Sequence, residues 1–233
     1  MKDPLGKGYG WRIVDSVEST QQLAAELLRA EASVAVVLAN EQTGGVGRFG
    51  RPWHSPAGTS LSMSLILRDY RDYPAPQFVG MAIAVAAAAA LHCQLAWPND
   101  LVIGERKLGG ILTEIVDGVP IVGIGANLDV ESFPDEIAQR ATSLRLTYGG
   151  THAPREVAER IVSGLKNLPE PDSWADLAPI WSMFDHTPGK RYRLPSGDEA
   201  IALGIGGDGR LLCSVHGETQ SVMVAEALFG AGA

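Results

Sequence analysis

Gly45-Val46-Gly47-Arg48-Phe49-Gly50-Arg51-Pro52-Trp53-His54-Ser55-Pro56 is the stretch on which the fold turns. Its first six residues fit G-x-G-x-x-G and follow a β-branched run at 34–38, the setting of a dinucleotide-binding turn. That fingerprint works only when it opens a helix whose N-terminus faces a pyrophosphate. Pro52 and Pro56 stand where the helix would run, and proline inside a helix removes a donor and clashes with the preceding turn. No Gly-Lys-Ser/Thr ending makes it a P-loop either, so the dinucleotide reading is rejected. What remains is a loop over 40–59 with five glycines and two prolines, presenting Arg48 and Arg51. Guanidinium forks of this kind pair with carboxylate or phosphate. The other reading of the same residues is a surface loop with two solvated arginines.

Upstream of the loop, residues 11–14 read as a strand, and Ser19 with Gln22 three residues on forms a capping-box pattern before Leu23, Leu27 and Leu28. Downstream, Leu61, Met63, Leu65 and Leu67 alternate with serines, which predicts a strand with one buried face. Residues 73–92 are Ala-rich and apolar almost all round, which predicts a centrally packed helix. Short strands at 95–97, 101–103, 108–116 and 120–125 are divided by turn residues and predict an antiparallel meander. Helices follow at 154–168, with Val157, Ile161 and Leu165 on one face, and at 174–184. Near 186–189 the pattern changes to strands at 191–194, 200–205, 210–216 and 219–224, with Asp208-Gly209 as a hairpin turn. These roughly 45 residues suggest a small β-barrel, short for an independently stable unit.

Bulk properties exclude several classes. The net charge of −8 repels nucleic-acid backbones and anionic membrane surfaces. Cys93 and Cys213 lie far apart with no metal-ligand spacing, which argues against disulfides and zinc and fits a reducing, cytoplasmic compartment. Residues 1–10 lack the apolar core of a signal peptide, and the longest apolar run, 78–91, is too short to span a bilayer.

A second cluster, Trp97-Pro98-Asn99-Asp100 followed by Lys107-Leu108-Gly109-Gly110-Ile111-Leu112, could alone be an ordinary turn and hairpin. Together with the glycine loop it resembles the biotin–protein ligase family, whose pattern is Gly-Arg-Gly-Arg-x-Gly-Arg, then Lys-Trp-Pro-Asn-Asp, then Lys-x-x-Gly-Ile-Leu. The resemblance extends to Glu41-Gln42-Thr43, Trp53, Ser55-Pro56, 123–128 and Ala141-Thr142-Ser143-Leu144, covering about 19–144. Residues 204–212 look like the family's SH3-like C-terminal barrel. Val46 stands at the loop's first arginine, Ala96 at the lysine before Trp-Pro-Asn-Asp, and Ala225-Glu226-Ala227 at the usual Gly-Glu pair.

The resemblance implies an α+β fold: a mixed, largely antiparallel sheet with flanking helices, like class II synthetases, over 1–187, and an SH3-like barrel over 188–233. It implies an ATP- and Mg2+-dependent enzyme that forms biotinyl-adenylate and passes biotin to a lysine of a biotin carboxyl carrier protein. Lys107 and Arg48 then face the biotin carboxylate and the α-phosphate, and Asp100 orients the carrier amine or accepts its proton, or only caps its turn. Ser19, Thr20, Gln42, Gly45 and Gly110 lie on the biotin side, and Arg51, Trp53, Asn99 and Asn127 on the nucleotide side. For Ser19 a purely capping role is the alternative, and Trp53 is read as an apolar wall of the site. Metal ligands stay unassigned. The chain starts almost on the catalytic domain, so no DNA partner is expected, and a homodimer is an expectation from the family. The competing readings are a lipoate or octanoate ligase or transferase, which shares the fold, and a non-catalytic biotin-binding module.

Overall fold

A computed structural model describes residues 1–3 and 8–229. The expectations for 4–7 and for the last residues of the C-terminal barrel, 230–233, lie outside the described residues. The larger of two sheets holds β1 (Gly10–Val17), β2 (Val34–Gln42), β3 (Ser60–Ile66), β4 (Gln94–Ala96), β5 (Asp100–Ile103), β6 (Arg106–Val116) and β7 (Val119–Asn127). Their spatial order is β1-β2-β3-β7-β6-β5-β4. Only β1 and β2 run parallel; every other neighbouring pair is antiparallel, including the expected β4-to-β7 meander.

Helices cover both faces. Between β1 and β2 runs α1 (Thr20–Arg29), which starts at Ser19, whose Oγ accepts the Gln21 N–H at 3.2 Å. The sequence pattern predicted a reciprocal bond from Gln22, and none is present among the described residues. Ala24 and Leu28 of α1 pack on Val37, Ile66 and Ile121, one face of the sheet. The opposite face carries the main core beneath α2 (Pro76–Leu91) and, further along the chain, α5 (Pro154–Leu165) and α6 (Trp174–Trp181). The α2 helix is buried along nearly its whole length, as its apolar composition predicts, but begins at Pro76 instead of 73. Proline is favoured in a first helical turn, where its missing N–H costs nothing. Two short helices, α3 (Asp135–Ala138) and α4 (Leu144–Tyr148), were not predicted, being too short for a periodic signal.

One expectation is corrected at β3. Its alternation predicted a single buried face, yet every residue of the strand is buried. Leu61, Met63 and Leu65 join the main core, while Ser64 lies under α1, bonded to Thr20 and Gln21. Ser62 and Ser64 are buried with hydrogen-bonding partners, Ser62 Oγ lying 2.9 Å from Ser55 Oγ, whereas Ser60 Oγ has none among the described residues.

The second sheet holds β8 (Arg191–Arg193), β9 (Glu199–Ile205), β10 (Leu211–Val215), β11 (Glu218–Val222) and β12 (Glu226–Ala227), in the order β11-β10-β9-β8-β12. The expected turn closes with Gly206 N–H on the Arg210 carbonyl and Gly209 at φ 80°. This sheet docks against the turn that follows β4. Trp97 Nε1 donates to the Gly209 carbonyl at 2.9 Å, Trp97 N–H to Thr187 Oγ1 at 3.1 Å, and the indole meets Tyr192 edge-on. The main core runs on without a break through Tyr192, Ala202, Leu211 and Cys213. Among the described residues no helix is long and apolar enough to cross a membrane.

Glycine in the Lys-Leu-Gly-Gly segment answers a packing demand. A Cβ on Gly109 would lie 2.3 Å from the Gly125 carbonyl oxygen on β7, and backbone cannot step aside. Gly109→Ala should therefore cost about 1–3 kcal/mol, lowering the melting midpoint by about 3 to 10 °C. Gly207→Ala, with open space around its Cβ, serves as the control. Equal melting of the two variants would show that β6 and β7 are not packed this tightly.

Candidate active site

The glycine loop leaves β2 and returns to β3 as a narrow excursion. Val46 bridges Pro52, Trp53 N–H donates to the Gly45 carbonyl at 2.8 Å, and Gly47 N–H to the Arg51 carbonyl at 2.8 Å. Its only helical feature is one 3-10 turn at Arg48–Gly50, so no helix follows the G-x-G-x-x-G pattern, in line with the two prolines. The loop roofs a cavity of about 480 Å³ whose floor is β3, β6 and β7. Trp53 lies flat enough on β7 that a Cβ on Gly125 would be 2.9 Å from its indole.

One group of lining residues is polar and tightly wired. Gln42 Oε1 accepts from Thr20 N–H at 2.8 Å and from Thr20 Oγ1 at 2.9 Å, and Ser64 Oγ donates to Thr20 Oγ1 at 2.9 Å. Gln21 is fixed from below, its Nε2 donating to the carbonyls of Ile121 at 3.0 Å and Leu112 at 3.3 Å. Among the described residues Gln42 Nε2 makes no hydrogen bond, so a free amide donor stands beside the Thr20 oxygen. Met63, Ile111, Leu112 and Ile124 supply apolar walls.

A second group of lining residues is charged. Lys107 Nζ lies 2.5 Å from Asp100 Oδ1, both held by the paired strands β5 and β6. Arg48 reaches down from the roof, and its Nη1 donates to Asn99 Oδ1 at 3.1 Å and to the Ala225 carbonyl at 3.5 Å. Burial lowers the Arg48 pKa, opposed by the nearby charges of Asp100 and Glu226. Arg51 is bonded through both nitrogens to Glu226, which raises the pKa of Arg51 and lowers that of Glu226. Trp53, Phe133, Ile137 and Arg140 also line the cavity.

Ser19, Thr20, Gln42, Arg48, Arg51, Trp53, Asn99, Asp100, Lys107, Gly110 and Asn127 all line this one cavity. Gly45 does not; it stands behind the loop against Gln42 and Trp53. Ser19 is spent as a helix cap, and Asn127 donates to the Thr142 carbonyl at 3.0 Å, so both already have internal partners. Sequence reading missed Gln21, although a polar residue three before Ala24 and seven before Leu28 lies on the buried stripe of α1 and so carried a signal. It also missed Arg140, Arg191, Arg193 and Glu226, which reach the cavity only through the fold.

The Biotin/lipoate A/B protein ligase family profile matches residues 13–131, just over half of the chain. The chain belongs to the biotin/lipoate A/B protein ligase family. That match takes in the lining residues from Ser19 to Asn127 and stops short of Arg140 and the second sheet. Over 252 aligned residues the chain is 31% identical to the biotin–[acetyl-CoA-carboxylase] ligase of Mycobacterium tuberculosis, covering 95% of this chain and 91% of that protein. It is 41% identical over 150 residues to the bifunctional ligase/repressor BirA of Bacillus spizizenii, covering 58% of this chain; it spans about half, 46%, of that relative's length. The fold matches that of a biotin protein ligase from Aquifex aeolicus, solved in complex with biotin and ATP, with a TM-score of 0.75 and 24% identity over 94% of this chain and 97% of that one.

The roof depends on the bare Cα of Gly125. Gly125→Ala should lift Trp53 and speed tryptic cleavage after Arg48 several-fold while the melting midpoint holds. Unchanged cleavage would mean that Trp53 does not hold the loop down.

Proposed function

We propose that this chain is a biotin–protein ligase, which joins biotin to AMP at the expense of ATP and then transfers biotin to a lysine of a carrier domain. The chemistry of the groups that line the cavity supports this. A donor and an acceptor side by side suit a cyclic urea, the apolar stretch suits an aliphatic arm, and the cations at Lys107 and Arg48 suit a carboxylate meeting a phosphate. The carrying observation is the Lys107 ammonium, 2.5 Å from Asp100 and on the same cavity as Arg48. The Mycobacterium tuberculosis relative, similar over nearly the whole chain, bears the same activity in its name.

In the first step a biotin carboxylate oxygen attacks the α-phosphorus, and the bond to the β-phosphate bridging oxygen breaks to release pyrophosphate. Two anions must approach, so donors fixed in advance at the developing charge lower the barrier. Lys107 is positioned on the sheet and Arg48 on the movable roof, which also excludes water from the mixed anhydride. In the second step the carrier amine attacks the carbonyl carbon and AMP leaves. Asp100 is the group at hand to orient that amine or take its proton. Magnesium enters with ATP; among the described residues no group of three or more His, Cys, Asp or Glu side chains gathers to cage it. That suits an ion carried mainly by substrate phosphates.

Lipoate is the less suited substrate. Its dithiolane ring offers neither N–H nor carbonyl to Gln42 and Thr20, and buried polar groups left unmatched reject a ligand strongly. We place the division between catalytic and barrel domains at 187/188. The acidic net charge speaks against a DNA partner; a homodimer and a cytoplasmic location complete the proposal.

Two measurements test it. Lys107→Ala, if folded by circular dichroism and melting, should slow adenylation about a hundred- to a thousand-fold and slow transfer from pre-made biotinyl-adenylate less. Near wild-type adenylation would reduce Lys107 to a hairpin residue. Saturating biotin and ATP should also protect the loop from trypsin after Arg48, because its glycines are costly to order and its arginines gain anionic partners. Equal cleavage with and without ligands would refute the clamp.

A further inference from the structure

Among the stretches that carry the family resemblance, Ala141-Thr142-Ser143-Leu144 has no part in the chemistry of adenylation or transfer. Thr142, Ser143 and Leu144 are buried, and none of the three is among the residues that line the cavity. What the stretch touches is the main chain of Lys107.

Lys107 stands where its own hairpin is least able to hold it. On one side of β6 the ladder to β5 shifts register at this point. Val102 faces Lys107 and Leu101 faces Gly109, so Leu108 is an extra residue, and a bulge of this kind re-aims the side chains beside it. On the other side of β6 the ladder to β7 begins only at Gly109, opposite Ala126. Residues 140–142 take the place that β7 leaves. They bridge Lys107 in parallel through Ala141, with Lys107 N–H donating to the Arg140 carbonyl at 2.8 Å and Thr142 N–H to the Lys107 carbonyl at 2.9 Å.

Buried polar side chains fix that segment in turn. Asn127, the last residue of β7, donates Nδ2 to the Thr142 carbonyl at 3.0 Å. Ser143 Oγ donates to the Val130 carbonyl at 2.6 Å and accepts the Leu146 N–H at 3.1 Å, which caps α4. Thr147 Oγ1 donates to the Ser143 carbonyl at 2.9 Å. Buried bonds of this kind hold a main chain firmly, because each group released would be left without a partner.

We propose that Asn127 and Ser143 are positioning residues for adenylation: they hold 140–142 as a main-chain brace, and the brace sets where the Lys107 ammonium stands. The inference rests on reading the chain as a ligase that uses Lys107 in adenylation. A lysine reaches through a flexible four-carbon stem, so its ammonium is only as well placed as its backbone and its partner allow. The partner is Asp100, and the backbone is held by the brace. A donor fixed in advance loses its effect when displaced, and a shift of about 1 Å costs about a hundred-fold in rate.

Adenylation kinetics and hydrogen exchange on the full chain test the brace. Ser143→Ala should lower kcat for biotinyl-adenylate formation about ten- to a hundred-fold, with KM for biotin and for ATP changed less than about two-fold. Exchange of the Lys107 amide hydrogen should speed up about ten-fold or more. Asn127→Leu, which leaves the Thr142 carbonyl unmatched, should act in the same direction. In a Lys107→Ala background Ser143→Ala should change the rate less than about two-fold, since the brace acts through the residue already removed. Ile161→Val, a change in the core under α5, should lower the melting midpoint by a similar amount, about 2 to 4 °C, and leave adenylation unchanged. Wild-type kcat or unaltered Lys107 exchange in folded Ser143→Ala overturns the brace, as does an equal loss of rate in the Lys107→Ala background. A raised KM for ATP with kcat held in Asn127→Leu overturns the role given to Asn127 and makes it a nucleotide contact. Hydrogen exchange needs no turnover, so it reports on the brace even where failure of biotin to start pyrophosphate release has refuted the ligase reading.

Discussion

Much of this molecule hangs on how Trp97 is buried. Its ring nitrogen is satisfied by the Gly209 carbonyl, its backbone N–H by Thr187, and its face by the edge of Tyr192. A buried indole with its N–H paired contributes a large apolar area without the penalty of an orphaned donor. Because Trp97 is followed immediately by Pro98, Asn99 and Asp100, this one docking contact fixes two things together. It seats the second sheet on the first, and it holds Asn99 and Asp100 at the cavity where Arg48 and Lys107 meet them. The barrel is in this sense a wall of the site and shares its core.

The second constraint is electrostatic. An acidic chain whose cavity gathers several arginines and a lysine has to keep those cations from repelling one another. Asp100 does this for Lys107, Asn99 for Arg48 and Glu226 for Arg51. Each partner comes from a different element: strand β5, the turn before it, and strand β12. The fold therefore places counter-charges where sequence neighbours could not. Val46 and Ala96, where the family resemblance leads one to expect cations, leave the positive charge of the cavity to other residues, Arg140, Arg191 and Arg193 among them.

The sequence made the fold legible where a signal is local. Two prolines after the glycines ruled out a helix and hence the dinucleotide fold, turn residues marked the meander, and the Ala-rich run marked the central helix. It was silent where the signal is short or distant. The helices α3 and α4 and the two-residue strand β12 hold too few residues for any period to register. The serines of β3 read as solvent-facing because alternation reports polarity and not burial, and the partners of Ser64 on α1 are 44 and 43 residues away. Within the site, Lys107, Asp100 and Arg48 were legible as motif residues. Arg193 and Glu226 were not, because nothing near 193 or 226 in the sequence hints that the loop at 48–51 lies opposite.

The central claim is that biotin and ATP react in this cavity, and release of pyrophosphate from ATP on adding biotin tests it most directly. The account predicts that biotin starts pyrophosphate release with accumulation of biotinyl-adenylate in the absence of a carrier, while lipoate at the same concentration starts little. A clear preference for lipoate, or no release with either acid from folded protein that binds ATP, would contradict it.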